Sequence, residues 1–328
     1  YRAVRAELKR FKPDLVHMQN MSGATLAPYV ACRAAGVPVV NTLHDLWLLC
    51  PNNMMLRADG GLCDPRGDHR DCFRRYDFWG NLPRRLALFS AFTANVRYFI
   101  SPSQAVIDRH VEAGYARDRF RLVRLGFELP ALQDVLHPGV QRVIAAAPHR
   151  RVVTFAGGGI EIKGAHVVLA ALPQLRDRID GLQLVVAGNG ETPILEAFKQ
   201  FAPTTAVLGW VPFNEMLALY AASELVLLPS TCHENSPVVI YQSYQVGTPV
   251  AGSQIGGIPE LIEPGSTGAL FPPSDPAALA DSVAAHLARP AAERRRMRQT
   301  CVQTARTHLT LARHLDQHLA IYQEVLRA

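Results

Sequence analysis

The stretch Arg151-Val-Val-Thr-Phe155-Ala-Gly157-Gly158-Gly159-Ile-Glu-Ile-Lys163-Gly164 decides the fold. A short β-branched and apolar run ends in three glycines, and residues 164–175 then carry a helical pattern. A strand that passes through a glycine turn into a helix is the repeating unit of a parallel α/β sheet. The unit recurs downstream. Residues 182–187 read as a strand followed by Gly188-Asn189-Gly190, and 206–208, 225–229 and 249–252 read as further strands with helices between them. It recurs upstream as well, with strands expected at 14–19, 37–43, 97–100 and 120–124. Helices are expected at 25–35, where Pro28 suits the first turn and Gly36 the end, and at 82–94. Ser101-Pro102-Ser103 supplies a cap for the helix after the strand at 97–100.

The polar, Pro-containing stretch 128–150 reads as a linker. The expected organisation is therefore a Rossmann-like domain over 1–145, a second over 146–307, and a C-terminal helix at 308–328 that packs back on the first. Residues 2–12 read as a helix feeding the first strand, so the chain is expected to begin inside a domain. Two doubly wound α/β domains in tandem would face a central cleft, and ligands of open α/β sheets bind outside the carboxyl ends of the strands.

Composition fits a folded chain of this size: 328 residues, 48% hydrophobic and 19% charged. No apolar run approaches the ~20 residues needed to span a bilayer, so a soluble, cytoplasmic protein is expected. The net charge of +6 is uneven: residues 1–145 hold 20 Lys+Arg against 13 Asp+Glu, and the rest hold 14 against 15. Such an excess suits an anionic partner, and a membrane surface fits better here than nucleic acid; a solvated Arg-rich surface is the plainer alternative. Six cysteines lack the spacing of a disulfide scaffold. Cys50, Cys63 and Cys72 with His69 resemble a Cys3His zinc set in composition, but the cysteine spacings of 13 and 9 lack the usual close pair, so free thiols and no metal are expected. The run from Arg74 to Arg85 mixes cations with aromatics, as on a lipid-facing surface or an exposed acceptor-side helix.

Three segments carry chemistry. Gly157, Gly158 and Gly159 would present backbone N–H groups beside a helix N-terminus, and Lys163, one of four lysines in the chain, adds a mobile cation. In His233-Glu234-Asn235-Ser236-Pro237-Val238, Ser236 reads as an N-cap and Pro237 as the first helical residue, with amides at Ser236 and Val238 for phosphate and Glu234 for sugar hydroxyls. Ile255-Gly256-Gly257-Ile258-Pro259-Glu260 is a further glycine turn. Each also reads as an ordinary capped turn.

Taken together the motifs are more specific. Lys163-Gly, Val186-Ala-Gly-Asn-Gly, Leu208-Gly-Trp210-Val211, Glu234-Asn-Ser-Pro with eight residues to Gln242, Gly247-Thr-Pro-Val, Gly256-Gly-Ile-Pro-Glu260 and Gly268-Ala-Leu-Phe-Pro occur in that order. They resemble the retaining glycosyltransferases of family 4, which have the two-domain GT-B fold. Lys12-Pro-Asp-Leu-Val-His17, Gly36-Val-Pro-Val-Val-Asn-Thr-Leu-His44-Asp and Ile100-Ser-Pro-Ser103 extend the likeness upstream.

The resemblance implies transfer of a sugar from a UDP-, GDP- or similar donor to a saccharide or lipid-linked acceptor, with retention and without a cofactor or metal. It implies that Lys163 holds the diphosphate, that Glu234 contacts the donor sugar and that His44 lies near the reacting carbon. Asn235, Ser236, Pro237 and Val238 fall in the phosphate loop, and Trp210, Val211 and Gln242 on the nucleotide side. Two positions depart from the family pattern. Gln242 replaces a glutamate, and Gly158 or Gly159 stands where an arginine often does. These departures favour a non-catalytic nucleotide-sugar binder as the rival reading, with a sugar-nucleotide epimerase of the same fold as a third.

Overall fold

The structure is a computed structural model that describes residues 1–19, 21, 26–57, 60–64, 82–128 and 138–327. The chain divides into two compact units. One comprises Tyr1–Gly126, Cys232–Ser236 and Leu311–Ala328; the other comprises Phe127–Thr231 and Pro237–Thr310.

In the first unit α1 (Arg2–Phe11), β1 (Val16–Met18), α2 (Ala27–Ala35), β2 (Val39–Thr42), α3 (Leu82–Phe92), β3 (Val96–Ser101), α4 (Gln104–Glu112) and β4 (Phe120–Leu122) follow in sequence. The four strands form one parallel sheet in the order β1-β2-β3-β4. All of β2 is buried, as in a parallel strand covered on both faces. Helix α2 ends on Gly36 at φ 68°, and Ser103 caps α4 by accepting from Val106 N–H.

The second unit begins at Phe127, so the stretch read as a linker belongs to it. That stretch contains α5 (Pro138–Ala146), whose Val140 and Val143 pack with Val152, Val185 and Leu219. There follow β5 (Arg151–Phe155), α6 (Ala165–Arg178), β6 (Leu182–Ala187), α7 (Thr192–Lys199), β7 (Thr205–Gly209), α8 (Phe213–Ala221), β8 (Leu225–Leu228), α9 (Val238–Gln245), β9 (Val250–Ser253), β10 (Gly268–Phe271), α10 (Pro276–Ala288) and α11 (Ala291–His308). The core runs along α6, where Val167, Val168, Ala171, Leu172 and Leu175 form one buried stripe against the sheet. The six strands are parallel in the order β10-β9-β8-β5-β6-β7. In order of appearance this is 6-5-4-1-2-3, the doubly wound dinucleotide-fold arrangement, with its switch point between β5 and β8.

Helix α12 (Leu311–Arg327) belongs to the first unit. Its Ile321 and Val325 pack on Val40, Ile100 and Val123, and His17 bonds Tyr322 OH at 2.5 Å. Among the described residues no helix is long and apolar enough to cross a membrane.

Candidate functional site

At the switch point of the second sheet the loops leaving β5 and β8 meet. Thr231 N–H donates to Ile162 O at 3.0 Å, and a Cβ on Gly164, where φ is 83°, would stand 1.9 Å from Pro229 O. Close approach of these two backbones therefore requires glycine at 164. The loop leaving β6 completes the group. Gly158 N–H donates to Ala187 O at 3.0 Å, Gly159 N–H to Asn189 O at 3.2 Å, and Gly159 and Gly190 form a parallel bridge.

This corrects the reading of the triple glycine. Gly158 and Gly159 do not present their amides outward, because both N–H groups are spent on the neighbouring turn. Their lack of side chains serves the packing: a Cβ on Gly158 would lie 2.0 Å from Asn189 O. Gly157 is buried beside Lys163, whose Cβ would be 3.0 Å from a Cβ added there. The first amides of α6 are those of Ala165 and His166. They precede the helix's own ladder, which begins with Val167 and Val168 N–H on Gly164 O. Lys163 is the residue two before Ala165.

The remaining residues expected on the nucleotide side divide by exposure. Trp210, just after β7, is 66% exposed, whereas Val211 is buried in the core with Val185 and Leu219. Pro237 keeps an extended ψ of 120° and is the N-cap of α9, so the first helical residue is Val238; the expected cap at Ser236 lies one residue too early. Gln242, just over one turn into α9, is only 9% exposed, and its side chain forms no hydrogen bond among the described residues.

In the first unit His44 follows β2, and its Nε2 is 2.8 Å from Gln19 Oε1. Loss of hydration on the ring's inner side lowers its pKa below the usual value, and the Asp45 carboxylate pulls the other way. The loop Cys232–Ser236 belongs to the same unit and carries Glu234, whose N–H donates to Cys232 O at 2.9 Å. Beside it His233 is pushed down to about 4, first by burial and then by Arg109. The side chain of Asn235 is engaged by protein: its Oδ1 accepts from Ser103 Oγ at 2.6 Å, and its Nδ2 donates to Leu43 O at 2.9 Å. Gln19 and Ser103 touch candidate site residues but were not themselves read as such; Ser103 stood out as a helix cap and in the Ile100-Ser-Pro-Ser103 likeness, and Gln19 only as the end of an expected strand.

Of the zinc candidates, Cys50 and Cys63 are thiols outside any disulfide, with Cys50 Sγ donating to Asn52 Oδ1 at 2.8 Å. His69 and Cys72 lie outside the described residues, as do Arg74 to Asn81 of the cationic–aromatic run. No cluster of three or more His, Cys, Asp or Glu suited to a metal occurs among the described residues.

Two parallel-sheet α/β units, the second with a ligand-type switch point built from glycine turns, define a GT-B glycosyltransferase fold. The chain belongs to family 4 of these proteins: the model for Glycosyltransferase Family 4 matches residues 1–129 and that for Glycosyl transferases group 1 matches residues 150–289. It is 30% identical over 198 residues to D-inositol 3-phosphate glycosyltransferase of Corynebacterium efficiens, covering 57% of this chain and 46% of that protein. It is 37% identical over 140 residues to glycogen synthase of Mycobacterium tuberculosis, covering 42% of this chain and 34% of that protein. The chain thus spans half or less of the length of these two relatives. The fold matches HepE of Anabaena, solved in complex with UDP-glucose, with a TM-score of 0.73 at 19% identity, over 98% of this chain and 82% of that one.

Proposed function

We propose that the protein transfers a sugar, with retention, from a nucleotide-diphosphate sugar to a saccharide or lipid-linked hydroxyl. The observation that carries this is the switch point of the second sheet, where Lys163 and the N-terminal amides of α6 leave the same glycine turn. A cation next to amides left open at a helix N-terminus suits a diphosphate. Charge grows on that group as the bond from the anomeric carbon to the diphosphate oxygen breaks, and preorganised donors then matter most. The acceptor oxygen bonds to the same carbon from the same face, and its proton passes to the departing phosphate oxygen. Glu234 takes the sugar hydroxyls, His44 stands by the reacting carbon, and Trp210 offers an exposed ring to the base. No cofactor or metal enters the step.

The test is calorimetric binding of UDP- and GDP-sugars, with NMR of the anomeric proton in the product. Lys163→Ala and Glu234→Ala are each expected to weaken donor binding or turnover at least about tenfold, the cost of one charge-assisted contact of ~1.5 kcal/mol or more. Unchanged donor binding and turnover in both variants would remove the assignment.

Gln242 supports the rival reading of a non-catalytic binder, because a buried neutral amide accepts from hydroxyls less strongly than a carboxylate. Binding without turnover of any donor would favour it, and epimerised donor in the product would point to the third reading. The basic excess of residues 1–145 supports peripheral contact with an anionic membrane from a cytoplasmic location.

A further inference from the structure

The side chain of Asn235 ties the Cys232–Ser236 loop to the first unit, and the function proposed above gives that side chain no role. Asn235 Oδ1 accepts from the Ser103 hydroxyl, and Asn235 Nδ2 donates to the Leu43 carbonyl. Chemistry fixes the orientation of this amide: a carbonyl only accepts, so the group facing Leu43 is the NH2. Both anchors are themselves pinned. Ser103 is fully buried, and its Oγ also accepts from Val106 N–H at 3.3 Å. Leu43 N–H donates to Ile100 O at 2.8 Å. The ends of β2 and β3 and the loop therefore converge on one amide. Leu43 immediately precedes His44, and Glu234 immediately precedes Asn235. The two residues assigned to the sugar thus leave the backbone next to the two ends of a single 2.9 Å hydrogen bond.

We propose that Asn235 is a positioning residue that sets the backbone of Glu234 against that of His44, with Ser103 as its second anchor. The effect on turnover rests on the glycosyl-transfer reading; the positioning itself rests on the geometry alone. Asparagine is required at this place. An aspartate of the same shape would turn a second acceptor towards Leu43 O, and alanine reaches neither anchor. A side chain that bound sugar hydroxyls would tolerate aspartate, since a carboxylate accepts from them well.

The experiment compares Asn235→Ala, Asn235→Asp and Ser103→Ala in the full chain. It reads kcat and KM for donor turnover, UDP affinity by calorimetry, and the ring-proton NMR signals of His44 with their pH titration. Both Asn235 variants are expected to lower kcat about tenfold or more, as displaced reacting groups do, and to shift the His44 signals. UDP affinity is expected to fall less than kcat, because Lys163 and the N-terminal amides of α6 lie outside the loop that Asn235 holds. Ser103→Ala acts in the same direction, and combining it with Asn235→Ala adds little to the effect on kcat, since both remove one coupled contact. Wild-type kcat in Asn235→Asp would overturn the proposal, as would unmoved His44 signals in both Asn235 variants. If the wild-type chain turns over no nucleotide-sugar, glycosyl transfer falls, and the His44 signals still decide the positioning. If the Asn235 variants do not fold, Ser103→Ala carries the test through the same readouts.

Discussion

At the scale of single residues, several histidines are held neutral by burial. His110 is fully buried, with Nδ1 donating to Val106 O, and His286 is 4% exposed, with Nε2 donating to Glu224 O; burial lowers each to about 4. In the unfolded chain they titrate near 6.5. Between those values the unfolded state binds more protons than the folded one, so stability rises with pH there and is lost as the pH falls from ~6.5 towards 4. Each contributes up to ~1.4 kcal/mol per pH unit in that window. Urea unfolding is expected to show a clear loss of stability from pH 7 to pH 5. His110→Phe is expected to flatten that dependence relative to wild type; an equal pH slope in the variant would show that His110 is not neutral in the fold.

At the scale of elements, the glycine turns make a sharper prediction. Gly158 and Gly164 have positive φ and backbone oxygens about 2 Å from any added Cβ, whereas Gly209 has a φ of 69° with nothing within 4 Å. Gly209→Ala incurs only the left-handed strain, ~1 kcal/mol. Gly158→Ala and Gly164→Ala must also push neighbouring loops apart, and are expected to lose more than ~2 kcal/mol and to weaken UDP binding. Equal losses in all three would mean that the loops separate freely. The turns also show where the sequence is informative. The strand at 182–187 is legible to the residue, because a β-branched run stops at Gly188. Helix α5 is hidden in a proline-bearing stretch, because its buried face is only Gly139, Val140 and Val143. Strand β10 is four residues long and opens on Gly268, whose lack of a side chain lets Val250 O approach, so it has too little pattern to read. The types and spacing of the candidate site residues were legible in the sequence. Their hydrogen bonding was not: Asn235 and Ser103 are 132 residues apart, and nothing local tells an amide facing a ligand from one spent on the next turn.

At the scale of the whole molecule, charge is the feature that local reading cannot weigh. Helix α1 has no buried residue, and Arg2, Arg5 and Lys9 fall on one face at spacings of three and four. With the excess of residues 1–145 this predicts association with vesicles that contain anionic lipid, at ~1 kcal/mol per basic side chain near the surface. Sedimentation is expected to show binding at low salt, weakening steeply as the Debye length shrinks from about 10 Å at 0.1 M salt, and reduced binding in Arg5→Glu/Lys9→Glu. Equal binding to neutral vesicles would dismiss the electrostatic contact.

All strands of the second sheet run in parallel, so the loops that follow β5, β6, β7 and β8 all leave from carboxyl ends. At the amino ends Glu224 meets Arg151 and Arg294, each at 3.2 Å. A dye, a surface tether or a fused reporter placed near Arg150 would therefore report on this half of the protein without standing in the path of its ligand.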